Sequence, residues 1–217
     1  MLKLKPSLAK SDPLRILCLG AHSDDIEIGC GGTILKLISE HKKAVFYCVV
    51  FSANHERKKE AIKSANALLK NAKEKTVVIK DFRDGFLPYI GAEIKEYFEV
   101  LKRAFSPDLI FTHYRDDLHQ DHRLVSELTW NTFRDHLILE YEIPKYDGDL
   151  GAPNVFVHLD EKVSRKKIQH ILKTFKSQAE NQWFTEETFR SILSLRGVES
   201  NANSRYAEGF YCKKLVF

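Results

Sequence analysis

The sequence of 217 residues predicts an α/β protein: a three-layer, Rossmann-like fold with a mostly parallel central sheet. Three observations predict it. Short apolar runs without polar alternation recur along the chain, as in strands covered on both faces. Amphipathic stretches with helical spacing lie between them. The strand–helix alternation repeats, and right-handed crossovers then stack helices on both sides of one sheet.

The first strand is Ile16-Leu17-Cys18-Leu19, ending in Gly20, and Ala44 to Phe51 is a longer run of the same kind. Ala61, Ala65, Leu68 and Leu69 then share one helical face. Thr76 to Ile79 is the third strand. Ile94, Phe98, Leu101 and Phe105 recur at intervals of four, three and four, and Pro107 stops that helix. Leu109 to Thr112 is the fourth strand. Tyr141 to Asn154, with two prolines and two glycines, reads as a long loop inside a single domain spanning 1–217. Loops of that length are uncommon unless they cover a site or are disordered. Val155 to Leu159 is a further strand, Ile168, Ile171, Leu172 and Phe175 mark a further helix, and Phe210 to Phe217 is a last apolar run broken by Lys213-Lys214.

Composition narrows the function classes. Lys and Arg number 34 against 30 acids, and no five-residue basic block occurs, so no nucleic-acid partner is expected. Met1 to Asp12 alternates Lys with single apolar residues and has no continuous apolar core, so neither a signal peptide nor a membrane span is expected there. The four cysteines, Cys18, Cys30, Cys48 and Cys212, form no CxxC pair. Cys18, Cys48 and Cys212 sit in apolar runs and read as buried thiols. The expected location is cytoplasmic.

Two clusters carry chemistry. His22-Ser23-Asp24-Asp25-Ile26-Glu27 follows the first strand and precedes Gly29, Gly31 and Gly32. Thr112-His113-Tyr114-Arg115-Asp116-Asp117-Leu118-His119-Gln120-Asp121-His122 lies at and just past the end of the fourth strand. In open α/β sheets ligands gather where strands end, so adjacency of strands one and four would join both clusters in one crevice. His22, Asp25 and His122 then offer two imidazoles and one carboxylate with room for water, the open shell of a catalytic metal site. Zinc suits such ligands, and iron, cobalt or nickel would use the same set. Asp24 is placed to take a proton from an activated water. His119, with Asp121 nearby, is placed to steady an oxyanion or protonate a leaving amine. Either cluster alone would more often be a helix cap than a metal site; it is the two together that point to a metal.

At these residues the sequence resembles the PIG-L/LmbE-type deacetylase family. The matching segments are His22-Ser23-Asp24-Asp25, Gly31-Gly32-Thr33 and His119-Gln120-Asp121-His122, with weaker matches at Arg57 with Glu60, Arg83-Asp84-Gly85 and Tyr206-Ala207-Glu208-Gly209-Phe210. The resemblance implies a Rossmann-like fold and zinc-dependent N-deacetylation, usually of an N-acetylglucosaminyl compound. Carried onto this chain, it makes His22, Asp25 and His122 the metal ligands and Asp24 the general base. His119, oriented by Asp121, becomes the electrostatic partner, and Arg57 and Asp84 become substrate contacts. Ser23 and Gln120 stand where the family usually has proline. Both are spacers, so the ligand set is kept while the turns and the acyl pocket change shape.

The expected partner is thus a small N-acylated molecule, a sugar by the resemblance; a homo-oligomer is left open. Elsewhere, Arg196 and Arg205 flank a polar stretch and are candidates for an anionic substrate group, while His113 and His158 read as structural. Trp130 and Trp183 read as packing residues, and Tyr146 and Asp147 as cover for a bound sugar. Competing readings remain, the nearest being a metal-dependent amidase acting on a non-sugar small molecule. Two histidines and a carboxylate also describe the facial triad of non-haem iron oxygenases. A non-catalytic nucleotide-binding domain is a third, although no G-x-G-x-x-G follows the first strand.

Overall fold

The structure, a computed structural model, describes residues 12–216. The reading of Met1 to Asp12 therefore lies, Asp12 apart, outside the described residues. The elements are β1 (Arg15–Gly20), α1 (Asp25–Glu40), β2 (Val45–Val50), α2 (His55–Leu68), β3 (Glu74–Ile79), α3 (Gly91–Ala104), β4 (Leu109–His113), α4 (Gln120–Thr132), β5 (Leu137–Tyr141), β6 (Val155–Leu159), α5 (Glu161–Thr174), α6 (Glu186–Glu199) and β7 (Tyr206–Tyr211). Short 3-10 turns cover Leu87–Ile90 and Lys176–Gln178.

One seven-stranded sheet runs in the order β3-β2-β1-β4-β5-β7-β6. The first five strands in that order are parallel, and β7 is antiparallel to both β5 and β6. The strand period of two explains the continuous apolar runs. Ile16 and Cys18 enter the core on the side of α1, α5 and α6, whereas Leu17 and Leu19 enter the core on the side of α3 and α4. Each such fully buried side chain contributes roughly 1.5–3 kcal/mol. Helices begin where a side chain accepts an otherwise unpaired backbone N–H: Asn54 caps α2, Asp160 caps α5 and Thr185 caps α6. Among the described residues no helix is long and apolar enough to cross a membrane.

The glycine pair and the last strand meet. Glu208 on β7 accepts from the backbone N–H groups of Gly32 (2.8 Å) and Thr33 (2.6 Å) and from the Thr33 hydroxyl (2.5 Å). Lys167 of α5, itself buried, donates to the same carboxylate at 2.5 Å and to the Ile28 carbonyl at 2.6 Å. A Cβ on Gly32 would stand 2.4 Å from Leu159 Cδ1 and 2.9 Å from Glu208 Oε1, so a side chain there would force both of those side chains to shift.

Four features differ from the sequence reading. β5 is hidden in the sequence because its apolar stretch is three residues long before Glu140, a buried carboxylate that accepts from the Arg115 N–H at 3.0 Å and from the Trp130 indole. α6 is hidden because its inner face contains the buried Arg196. The last strand starts four residues before Phe210 and ends at Tyr211, with Leu215 and Val216 exposed. Cys212, just past that strand, is therefore only half-buried, while Cys18 and Cys48 are buried. Residues 142–154 carry no helix or strand.

Candidate metal centre

β1 is the hinge of the topology: the chain crosses from it to β2 on one side, and β4 pairs with its other edge. At such a switch point the two following loops diverge and leave a crevice at the carboxyl ends of the strands. His22, two residues past β1, and His122, in the first turn of α4, meet there. His22 Nδ1 lies 3.1 Å from His122 Nε2. Asp25, the first residue of α1, places Oδ2 3.5 Å from His22 Nδ1 and Oδ1 3.7 Å from His122 Nε2. All three residues are buried.

Each imidazole turns its other nitrogen to a carboxylate. His22 Nε2 lies 3.0 Å from Asp84 Oδ1 and 3.3 Å from Asp121 Oδ2, and His122 Nδ1 lies 2.9 Å from Asp117 Oδ2. With protons on those outward nitrogens alone, as cation binding requires, three acceptors face one another inside. Such a set suits a cation. A tetrahedral shell with bonds of ~2.0–2.1 Å has edges of about 3.3 Å, close to the 3.1 Å between the two imidazole nitrogens, while the 3.5 and 3.7 Å separations run to different oxygens of Asp25. The donor set of two imidazoles and a carboxylate fits zinc or a similar divalent transition metal. His119 with His22 and His122, and His113 with Asp25 and His122, also bring donor atoms within 4.8 Å of one another.

The neighbouring residues take distinct places. Asp24 stands at the N-cap position of α1 but its side chain caps nothing; instead Oδ1 accepts from Arg57 Nη2 at 2.6 Å. Burial pushes the Asp24 carboxyl up, Arg57 pulls it down and Asp25 pushes it up again, with a net rise. His119 packs against both imidazoles, its ring centroid 4.8 Å from that of His22 and 4.6 Å from that of His122. Burial, and then the charge on His22, lower its pKa. Asp84, with a side chain 63% exposed, stands at the open side.

Asp121 differs from the sequence reading. Its carboxylate accepts from the backbone N–H groups of Gly85 (2.7 Å) and Leu87 (3.1 Å), pinning the turn that presents Asp84. Its link to His119 is a backbone one: the Asp121 N–H donates to His119 Nδ1 at 3.2 Å, which caps α4. Gln120 adds a side-chain bond to the Gly85 carbonyl at 3.2 Å, and the Ser23 hydroxyl is buried without a partner. Arg196 is engaged elsewhere, in a two-pronged buried pair with Glu142 at 2.6 and 2.7 Å.

Three site residues escape a reading of the sequence. His113, which reads there as structural, places Nε2 3.2 Å from Asp25 Oδ2 and accepts from the Ala21 N–H at 2.9 Å. Tyr141 donates to the Leu19 carbonyl at 2.6 Å and stands 3.3 Å from the same His113 nitrogen. Asp117 backs His122. The available signal for His113 is its place at the end of β4. Asp117 and Tyr141 act only through cross-loop contacts that a single sequence does not display.

Residues 17–133, more than half of the chain and holding both clusters, match the family model described as PIG-L: GlcNAc-PI de-N-acetylase. The chain belongs to the PIG-L family. Solved structures share the architecture of this PIG-L protein. A conserved protein from Thermus thermophilus superposes with a TM-score of 0.75 at 20% identity, over 94% of this chain and 96% of that one. The N,N'-diacetylchitobiose deacetylase from Pyrococcus horikoshii gives 0.69 at 23% identity, over 92% and 83%. The 4-carboxy-2-hydroxymuconate hydratase of Pseudomonas putida gives 0.72 at 18% identity, over 94% and 97%. At these identities the likeness is one of fold.

Proposed function

We propose that this PIG-L protein is a divalent-metal, zinc-type hydrolase that removes an N-acetyl or other N-acyl group from an amino sugar or sugar conjugate. The observation that carries the reading is the inward-facing set of His22 Nδ1, His122 Nε2 and Asp25, with Asp24 beside it and free of any capping duty. The deacetylase of the same fold and the family's description point the same way.

When bound to His22, Asp25 and His122, the cation supplies Lewis-acid polarisation and lowers the pKa of water. Asp24 takes the proton from the attacking water and returns it to the departing nitrogen. His119 accepts the Asp121 N–H on Nδ1, so its own proton sits on Nε2, available to the oxygen that gains charge as the carbonyl carbon becomes tetrahedral. Water adds across the C–N bond: the acyl carbon leaves as a carboxylic acid and the nitrogen as a free amine. Arg57 and Asp84 are placed to hold sugar hydroxyls, the first half-buried beside Asp24 and the second open to solvent. The four free cysteines fit a reducing, cytoplasmic setting.

The test is a screen of the zinc-loaded protein on N-acetylglucosamine, N-acetylglucosaminyl conjugates and simple acetamides, following amine and acetate together. Equal release of both, abolished by chelation and preferring sugars, is expected. Turnover that survives complete metal removal would sink the reading. The hydratase of the same fold gives a second reading, addition of water to a carbon–carbon double bond, which predicts no amine release from any of these compounds.

A further inference from the structure

Residues 142–154 reach the candidate centre through one side chain. Lys145 has a side chain only 10% exposed, and its Nζ lies 3.1 Å from Asp117 Oδ2 and bonds Asp149 Oδ2 as well. Asp117, also buried, presents that same Oδ2 to His122 Nδ1 at 2.9 Å, while its Oδ1 accepts the His119 N–H at 2.8 Å. Asp149 turns its Oδ2 to the Leu118 N–H at 2.7 Å, so the segment also clamps the loop after β4. A buried ammonium is costly unless it is paired and hydrogen-bonded. Here it sits in a stretch without helix or strand, where no regular element forces it inward. Its carboxylate partners are what hold it there: Asp117 and Asp149, with Asp147 Oδ2 farther off at 3.8 Å.

We infer that Lys145 is a positioning residue of the cation centre: it anchors Asp117 against Nδ1 of His122 and thereby aims Nε2 of His122 at the position shared with His22 and Asp25. The inference rests on the metal reading above. The outer partners of metal-bound histidines fix ring orientation and tautomer, and their loss typically weakens metal binding ~10–100-fold. Residues 142–154 are thus part of the centre's support, and linkage makes the effect reciprocal: a bound cation holds the segment, and the held segment favours the cation.

The experiment measures zinc affinity by competition with a chromophoric chelator, and the visible spectrum of the cobalt-substituted protein, for wild type, Lys145→Met and Lys145→Arg. Because Lys145 acts through Asp117, Lys145→Met should bind zinc about 10-fold more weakly, the low end of the range for losing a direct outer partner, with an altered cobalt spectrum, and Lys145→Arg should recover most of the affinity. In the wild type, saturating zinc should slow amide hydrogen exchange within 142–154, a readout that stands even if Lys145→Met fails to fold. Wild-type affinity and spectrum in Lys145→Met, or exchange in 142–154 indifferent to zinc, would overturn the role of Lys145 and leave the hydrolase reading intact. Absence of zinc binding by the wild type would overturn both.

Discussion

Arg57 donates from Nη2 to Asp24 Oδ1 at 2.6 Å, tying α2 to the carboxylate that adjoins Asp25. The bond sets the charge of Asp24. Burial favours its neutral form, and Arg57 is the main force opposing that. Replacing Arg57 with Leu therefore raises the Asp24 pKa further. Because the proposed base works ionised, the acidic limb of the kcat/KM profile should move to higher pH, with a larger loss under mildly acidic than under mildly alkaline conditions. An unmoved limb would separate Arg57 from Asp24.

Asp24→Asn keeps the size of the side chain and removes its basicity. It should retain zinc at the wild-type stoichiometry by elemental analysis and lose turnover by about 10²–10⁴, the range for a positioned general base. Full activity in this variant would remove Asp24 from the mechanism.

Zinc and protons compete for His22. In the metal-free protein burial disfavours its charge, but the Asp25 carboxylate, helped by Asp121 and Asp84, raises its pKa well above 6.5. A histidine raised in the folded state contributes stability that is fully present below its unfolded pKa and lost as pH rises through the folded one. The cation takes Nδ1 only after that proton has left. Across this window, rising pH should lower the Tm of the metal-free protein and tighten zinc binding. Calorimetry and chelator competition at a series of pH values check both trends, and zinc affinity independent of pH would contradict them.

Glu208→Ala leaves the Lys167 ammonium buried without its partner and two backbone N–H groups without an acceptor. Breaking a buried pair from one side costs about 3–5 kcal/mol. Combining Glu208→Gln with Lys167→Met removes both charges while keeping a carbonyl acceptor, so the double variant should lose less than Glu208→Ala alone. Urea denaturation of both variants beside the wild type measures the difference.

Two glycines of α1 make a matched pair. A Cβ on Gly29 would stand 2.1 Å from the Tyr141 ring, which is held by its bond to the Leu19 carbonyl, whereas a Cβ on Gly31 would meet nothing closer than 3.8 Å. Gly29→Ala should destabilise by about 1–3 kcal/mol or more through overpacking. Gly31→Ala should be neutral or gain up to ~1 kcal/mol from helix propensity. Thermal melts of the two, compared with wild type, test whether α1 packs against β5 as described.

The parallel part of the sheet is legible in the sequence because strands covered on both faces need apolar residues on both, as Ile16 to Leu19 have. The two clusters are legible because strand ends and histidine–aspartate spacing fall together. Their meeting follows from topology, once β1 and β4 pair. What escapes is polar burial. Glu140 hides β5 and Arg196 hides α6, since each is a charged residue made tolerable by partners distant in sequence: the Arg115 N–H and Trp130 for the first, Glu142 for the second. Asp117 and Lys145 escape for the same reason, because their places depend on each other.

The position of β7 between β5 and β6 bears on how the polypeptide matures at the ribosome. Translation delivers β6 well before the strand that joins it to the sheet, and the Gly32 N–H waits for an acceptor 176 residues further along. Until then two unpaired strand edges stay open to other nascent molecules. Closing so long a loop is also slow. Overexpression should therefore strain solubility through the half-made molecule rather than the finished one, and slower synthesis or added chaperones should raise the yield.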